Sequence, residues 1–189
     1  RVTVRGGVRG HSKIYSGGDF SCGFIEFGEV VAEDNIEILK NAIDANLVAG
    51  NNITIGNGQG IIIASKCMAG NEIWVGMIGH PSSEVCEFWL GMPEGKIRRL
   101  HHLHSMKDLK PVEKKEYAQL KKMYRRSKLS ALRVSGKIES DALIHIGRNV
   151  LSIQNTPCAH DYYVDPEKNE ITYRLYDKKL PIPGRKKRQ

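Results

Sequence analysis

Long apolar runs are missing from this 189-residue sequence, and none approaches the ~20 residues that a membrane span requires. No secretory apolar segment opens it. The four cysteines, Cys22, Cys67, Cys86 and Cys158, are scattered without a CxxC pair or zinc-finger spacing. That spacing excludes a dithiol redox motif and a cysteine-built zinc site, so reduced thiols in a cytosolic protein are expected. An HExxH helix is also absent, and Asn57-Gly58-Gln59-Gly60 completes neither a P-loop nor a dinucleotide fingerprint, which leaves a plain turn. No internal repeat is visible, and no low-complexity block apart from the basic end Arg185-Lys186-Lys187-Arg188.

What the sequence does hold is a net charge of +8 and a composition ordinary for one folded unit, expected over 1–184, with 185–189 as a solvated basic tail. The cationic surplus favours an anionic partner. Ile36, Leu39, Ala42, Ile43 and Leu47 recur at helical spacing between a cap at Asp34 or Asn35 and Gly50, predicting a surface helix over 35–48. From Asn52 to Leu103 short apolar runs alternate with turns, and Ile97 to His104 is expected to close this strand-rich block. A second helix should follow Asp108, with Pro111 in its first turn, and run through Ser127. Strands are expected again near 130–138, 142–147, 149–154 and 161–176, with a turn at Asp165 to Asn169. The fold class implied is α+β, a β-dominated barrel or sandwich core carrying two surface helices.

Two groups of side chains could carry chemistry. On a strand, His102 and His104 would share a face and His101 would point away. Two imidazoles lack the third ligand of a catalytic zinc, so a structural or ligand-contacting role is expected and no metal. Tyr117 and Lys121 stand at i and i+4 and would project from one helix face, where an ammonium beside a phenol can pair with phosphate or assist proton transfer. Tyr124 and Lys128 make a second such pair.

Several spaced fragments together resemble the poxins, metal-independent nucleases of poxviruses, baculoviruses and lepidopteran insects. They are Ile55-Gly56 before an isoleucine-rich strand, Ile78-Gly79, the histidines at 101–104, Tyr117-Ala118-Gln119-Leu120-Lys121, Ile144-His145-Ile146-Gly147, a basic strand with Arg174, and Leu180-Pro181-Ile182-Pro183. The tyrosine motif of that family has an aliphatic residue before its lysine. Leu120 meets this and Ser127 does not, which selects Tyr117 and Lys121. The resemblance implies a cofactor-free homodimer, related to trypsin-like proteases in fold. It would cleave the 3′–5′ linkage of 2′,3′-cyclic GMP–AMP in a host cytosol and so suppress DNA-sensing immune signalling. Tyr117 and Lys121 would serve the reacting phosphate, and Arg174 and Lys178 would hold the substrate. The family's early His-x-Phe-Pro-Gly is absent. His11, the only histidine before His80, is then the general base by position, with a histidine upstream of this sequence or another imidazole as the alternatives.

Two other readings remain open. Gly17 to Gly23 is similar to the nucleophile loop of trypsin-like viral proteases, although His11 lies too close upstream for that fold's order. Tyr173-Arg174-Leu175-Tyr176 interleaves aromatic and basic residues as a non-enzymatic nucleotide or RNA binder would.

Overall fold

A computed structural model describes residues 1–106 and 108–182; the basic tail and Pro183 lie outside the described residues. The chain winds into a three-sided β-solenoid, each turn placing one short strand on each face. The first turn is β1 (Val2–Val4), β2 (Val8–Arg9) and β3 (Lys13–Ser16), and the second is β4 (Phe20–Cys22), β5 (Ile25–Glu26) and β6 (Glu29–Ala32). The third is β7 (Ile36–Ile38), β8 (Ala42–Ile43) and β9 (Asn46–Ala49). The fourth is β10 (Asn52–Ile55), β11 (Ile61–Ile63) and β12 (Lys66–Ala69), and the fifth is β13 (Glu72–Val75), β14 (Met77–Ile78) and β15 (Cys86–Leu90). Two helices interrupt the winding, α1 (Glu94–Ser105) and α2 (Pro111–Ser127). A closing turn follows as β16 (Ala131–Val134), a single bridge at Ile138, and β17 (Ala142–Ile146). Three antiparallel strands end the fold: β18 (Asn149–Ile153) on β17, β19 (His160–Val164) on β16, and β20 (Ile171–Leu175) on β19.

Parallel register explains why these residues choose strands. Phe20 stacks on Ile36, Ile36 on Ile53, Ile53 on Ile73 and Ile73 on Leu132, so one face supplies a continuous inward column. Val8, Ile25, Ala42 and Ile62 stack likewise on the second face, and Val30, Leu47, Cys67, Phe88 and Ile144 on the third. All are buried in one core, and burial alternates along most strands, the period-2 pattern of a half-buried sheet, although several outward positions are apolar too, Ile61, Ile63, Trp74 and Trp89 among them. Up to the fifth turn, register partners one turn apart are separated by 16 to 21 residues, long enough for three strands and three corners.

The corners are specified too. Gly10, Phe27, Asp44 and Ala64 hold positive φ one turn apart, bending the chain from the second face to the third. Where the third face meets the first, Asn35 Nδ2 donates to Asp19 Oδ1 at 2.8 Å, Asn52 Nδ2 to Asn35 Oδ1 at 2.9 Å, and Asn71 Nδ2 to Asn52 Oδ1 at 2.7 Å. This side-chain ladder satisfies polar groups that the corners would otherwise strand. Beside it Gly50 is obligatory, because any Cβ would collide with the backbone carbonyl of Glu33. At the far end Asp161 is fully buried and accepts from Arg133 Nε at 2.9 Å and Arg174 Nη2 at 3.1 Å, tying β16, β19 and β20 into a cap. Burial pushes the nearby Tyr162 phenol up to about 12.

Four expectations are corrected. The core is a solenoid, not a barrel or sandwich. Residues 35–48 form β7, β8 and most of β9 rather than a helix, since each pairs in parallel with strands one turn away. Residues 97–104 are helical, because Leu100 and Leu103 bury together against α2. The repeat exists, but hydrophobic identity varies down each column (Val, Ile, Ala, Cys, Phe), which hides it. Strands at β16 to β20 and the helix from Pro111 to Ser127 lie where they were expected. Cys22, Cys67 and Cys86 are buried free thiols in the core columns, and burial pushes the Cys22 thiol up to about 12.

Candidate functional site

The helical hairpin interrupts the winding between the fifth turn and the closing turn. Earlier turns cross this corner in a Gly-Asn step, Gly50-Asn51 and Gly70-Asn71. After Leu90 the chain instead leaves as α1 and α2, then rejoins the corner when Ala131 N donates to Asn71 O at 3.1 Å. The hairpin has its own small core of Met92, Leu100, Leu103 and Leu120, flanked by Ile97, Met106, Tyr117 and Met123. Arg99 clasps Glu116 across the helices through Nε at 3.0 Å and Nη2 at 2.8 Å. The same bond holds the Glu116 carboxyl below the usual carboxylate range. Glu113 accepts from the Lys110 N–H at 2.8 Å at the start of α2.

Charge is distributed very unevenly. From Pro93 to Leu129 the sequence holds twelve lysines and arginines against four acids, whereas residues 1–92 hold six against ten. The hairpin therefore carries a surplus equal to the whole chain's net charge, on a body that is slightly acidic. Lys114, Lys115, Lys121, Lys122 and Arg125 are exposed on α2. Three of them, Lys121, Lys122 and Arg125, line a shallow depression of about 580 Å³ whose remaining walls are Ala118 and Leu129. Cations around a small apolar floor can hold carboxylates or phosphates and accept an apolar side chain between them.

The residues expected to form a catalytic site fall in three places. Tyr117 and Lys121 do share one face of α2, with Lys121 Nζ 5.6 Å from the Tyr117 ring centroid. His104 joins them, its Nδ1 2.9 Å from the Tyr117 hydroxyl, while His101 and His102 are exposed elsewhere on α1. His11 lies instead on the first turn, exposed beside a groove of about 430 Å³ with Lys13 and Glu29, which pair with each other at 2.8 Å. Arg174 is at the opposite end of an eight-stranded sheet, about 30 Å away at the usual strand spacing. There it bonds Asp161 and the carbonyls of Leu180 at 3.3 Å and Pro181 at 2.8 Å. Lys178 Nζ lies 5.5 Å from the Trp74 ring centroid. No cluster of three metal-ligating side chains exists among the described residues. Lys122, Arg125 and Lys114 were not singled out from the sequence. A charge count in windows, rather than over the whole chain, would have found them.

One phosphodiester cannot lie against His11, Tyr117 and Arg174 at once, so the geometry does not assemble the nuclease site that the poxin resemblance implied. Neither curated proteins nor solved structures give a significant match. The sequence model of one family, "FapA: Flagellar Assembly Protein A beta solenoid domain", matches residues 1–146. It overturns the poxin assignment and with it the cleavage of 2′,3′-cyclic GMP–AMP, the trypsin-like fold and protease alternative, the immune-evasion setting in a host cytosol, and the homodimer drawn from that family. A match over that much of the chain, on a fold that is itself a β-solenoid, means that the chain belongs to the FapA flagellar assembly family.

Proposed function

We propose that this chain is a non-catalytic scaffold for flagellar assembly in a bacterial cytoplasm, its solenoid a stiff body and its helical hairpin a projecting contact element. The observation that carries this reading is the family match over residues 1–146. Stacked turns support it physically. Each contacts mainly its neighbours, which gives an elongated body with long flat faces, the kind of surface on which partners are arrayed. The scattering of His11, Tyr117 and Arg174 supports a role without chemistry. Among the described residues no helix is long and apolar enough to cross a membrane.

Deleting the gene in a flagellated bacterium that carries it should reduce or misplace flagella when cells are counted by electron microscopy. Chromosomal replacement with the His11→Ala or the Tyr117→Phe form should restore them as well as wild type does. Normal flagellation in the deletion strain would refute the role. Failed rescue by either well-folded variant would return chemistry to consideration.

A further inference from the structure

The hairpin violates a local rule of helix design. Lys121 and Arg125 stand at i and i+4, and Lys122 and Arg125 at i and i+3, spacings at which like charges repel and weaken a helix. The two acids of α2 are committed elsewhere, Glu116 to Arg99 and Glu113 to the Lys110 N–H. Repulsion that the helix's own acids do not relieve marks a surface suited to taking its counter-charge from outside.

We infer that the face formed by Ala118, Lys121, Lys122 and Arg125 of α2, with Leu129 in the turn that follows the helix, is a docking site for an acidic amphipathic helix of a partner protein. The four helical residues follow i, i+3, i+4 and i+7, one stripe along about two turns, and Leu129 extends its apolar floor past the helix end. The geometry sets the partner's chemistry: an apolar side chain of leucine size seats on Ala118 and Leu129, and glutamates or aspartates beside it meet the three cations. Other polyanions fit less well. The tyrosines of α2, Tyr117 and Tyr124, are half-buried, so no exposed aromatic there offers a stacking platform for single-stranded nucleic acid. A lipid surface is engaged by a strip of exposed large apolar residues, and on the hairpin only Val112 is strongly exposed, at the start of α2 and away from the depression. The inference rests on the hairpin alone and stands or falls separately from the flagellar role.

The test uses the full chain and a fluorescein-labelled helical peptide with leucines at i, i+3 and i+4 flanked by glutamates, followed by fluorescence anisotropy. A single-stranded oligonucleotide of equal charge and phosphatidylglycerol vesicles serve as rival probes. The peptide should bind, and its affinity should fall as sodium chloride rises. The K122E/R125E double variant should lose at least about tenfold in affinity, and the milder K122Q/R125Q variant should lose less, with helicity by circular dichroism unchanged in both. Ala118→Lys is the sharper variant: it adds positive charge but fills the apolar floor, so it should weaken the peptide, whereas a purely electrostatic surface would bind more tightly. No binding of the peptide, tighter binding of the oligonucleotide or the vesicles, wild-type affinity in both double variants, or a gain from Ala118→Lys would each overturn the proposal.

Discussion

Solenoid and hairpin bury apolar side chains in opposite ways. In the solenoid each inward residue rests on its counterpart one turn away, so Ile53 depends on Ile36 and Ile73, both far off in sequence. In the hairpin Leu100 and Leu103 are neighbours on one helix and meet Leu120 on the next. Surface charge divides along the same line. The solenoid pairs its charges between turns, Arg9 with Glu26 at 2.9 Å, Lys13 with Glu29 at 2.8 Å and Lys66 with Glu87 at 3.1 Å. The hairpin clasps Arg99 with Glu116, while Lys121, Lys122 and Arg125 stand exposed in a row on α2. The difference teaches that one region uses its charges to hold itself together and the other holds them ready for a partner.

The largest effect should come from striking each core in turn. Phe88 is fully buried in the solenoid, and Phe88→Ala should cost about 3–5 kcal/mol, shifting the whole solenoid's urea unfolding transition. Leu103 is equally buried, yet Leu103→Ala should act locally, at about 2–5 kcal/mol on hairpin opening. Hydrogen exchange should then show faster amides in α1 and α2 with β7 to β12 unchanged. Solenoid amides that exchange faster in Leu103→Ala would break the comparison by making the two regions one cooperative unit.

Next comes the asparagine ladder. Asn52 both donates to Asn35 and accepts from Asn71, so Asn52→Ala removes two hydrogen bonds from a part-buried corner. A loss of about 1–3 kcal/mol is expected from the midpoint of urea unfolding. Asn52→Asp keeps the acceptor and loses the donor, and should fall between the two.

How much of this was legible in the sequence follows from the same contrast. The helix from Pro111 to Ser127 could be read because its pattern is local. So could the β19–β20 hairpin, whose turn at Asp165 to Asn169 is written in adjacent residues. The solenoid was not, because its logic is spread over a spacing that itself varies from 16 to 21 residues. Ile36, Ala42 and Leu47 are inward residues of three different strands, and with Leu39 and Ile43 between them their spacing imitates one helical stripe. Leu39, the residue that completed the pattern, is in fact 57% exposed. The pairing of Tyr117 with Lys121 was legible as a single helix face, whereas His104 joins them only because α1 packs back on α2. The cationic face was visible in principle, but the basic tail drew the attention that a charge count over 93–129 would have taken.

A smaller effect separates the regions by pH. His145 stacks on Trp89 with ring centroids 3.6 Å apart on the solenoid's third face, and its Nε2 is buried without a hydrogen-bond partner. Burial holds this imidazole below its ordinary range, and the Glu87 carboxylate only partly offsets the shift. A histidine that binds its proton less readily when folded adds stability that is fully present above its unfolded pKa of about 6.5 and is lost as pH falls from there through the lower folded pKa. Acidification from neutral pH should therefore lower the solenoid's unfolding midpoint. His145→Phe, which keeps a ring on Trp89 and removes the titration, should flatten that dependence. An equally steep loss in His145→Phe would place the titrating group elsewhere.

The smallest effect tests whether the Arg99–Glu116 clasp matters. Both side chains are well exposed, so solvent screening limits what their bidentate pair can contribute. A double-mutant cycle with Arg99→Met and Glu116→Gln should return a small coupling, smaller than the loss at the asparagine ladder, and added salt should shrink it. Removing Glu116 has a second consequence, because it leaves another cation on the hairpin without an acid. Glu116→Gln should therefore lower hairpin stability while leaving the acidic peptide's affinity for α2 unchanged or slightly raised. Raised affinity would sharpen the contrast between charges that bind the fold and charges held open; weakened affinity would mean that the clasp shapes the docking face itself.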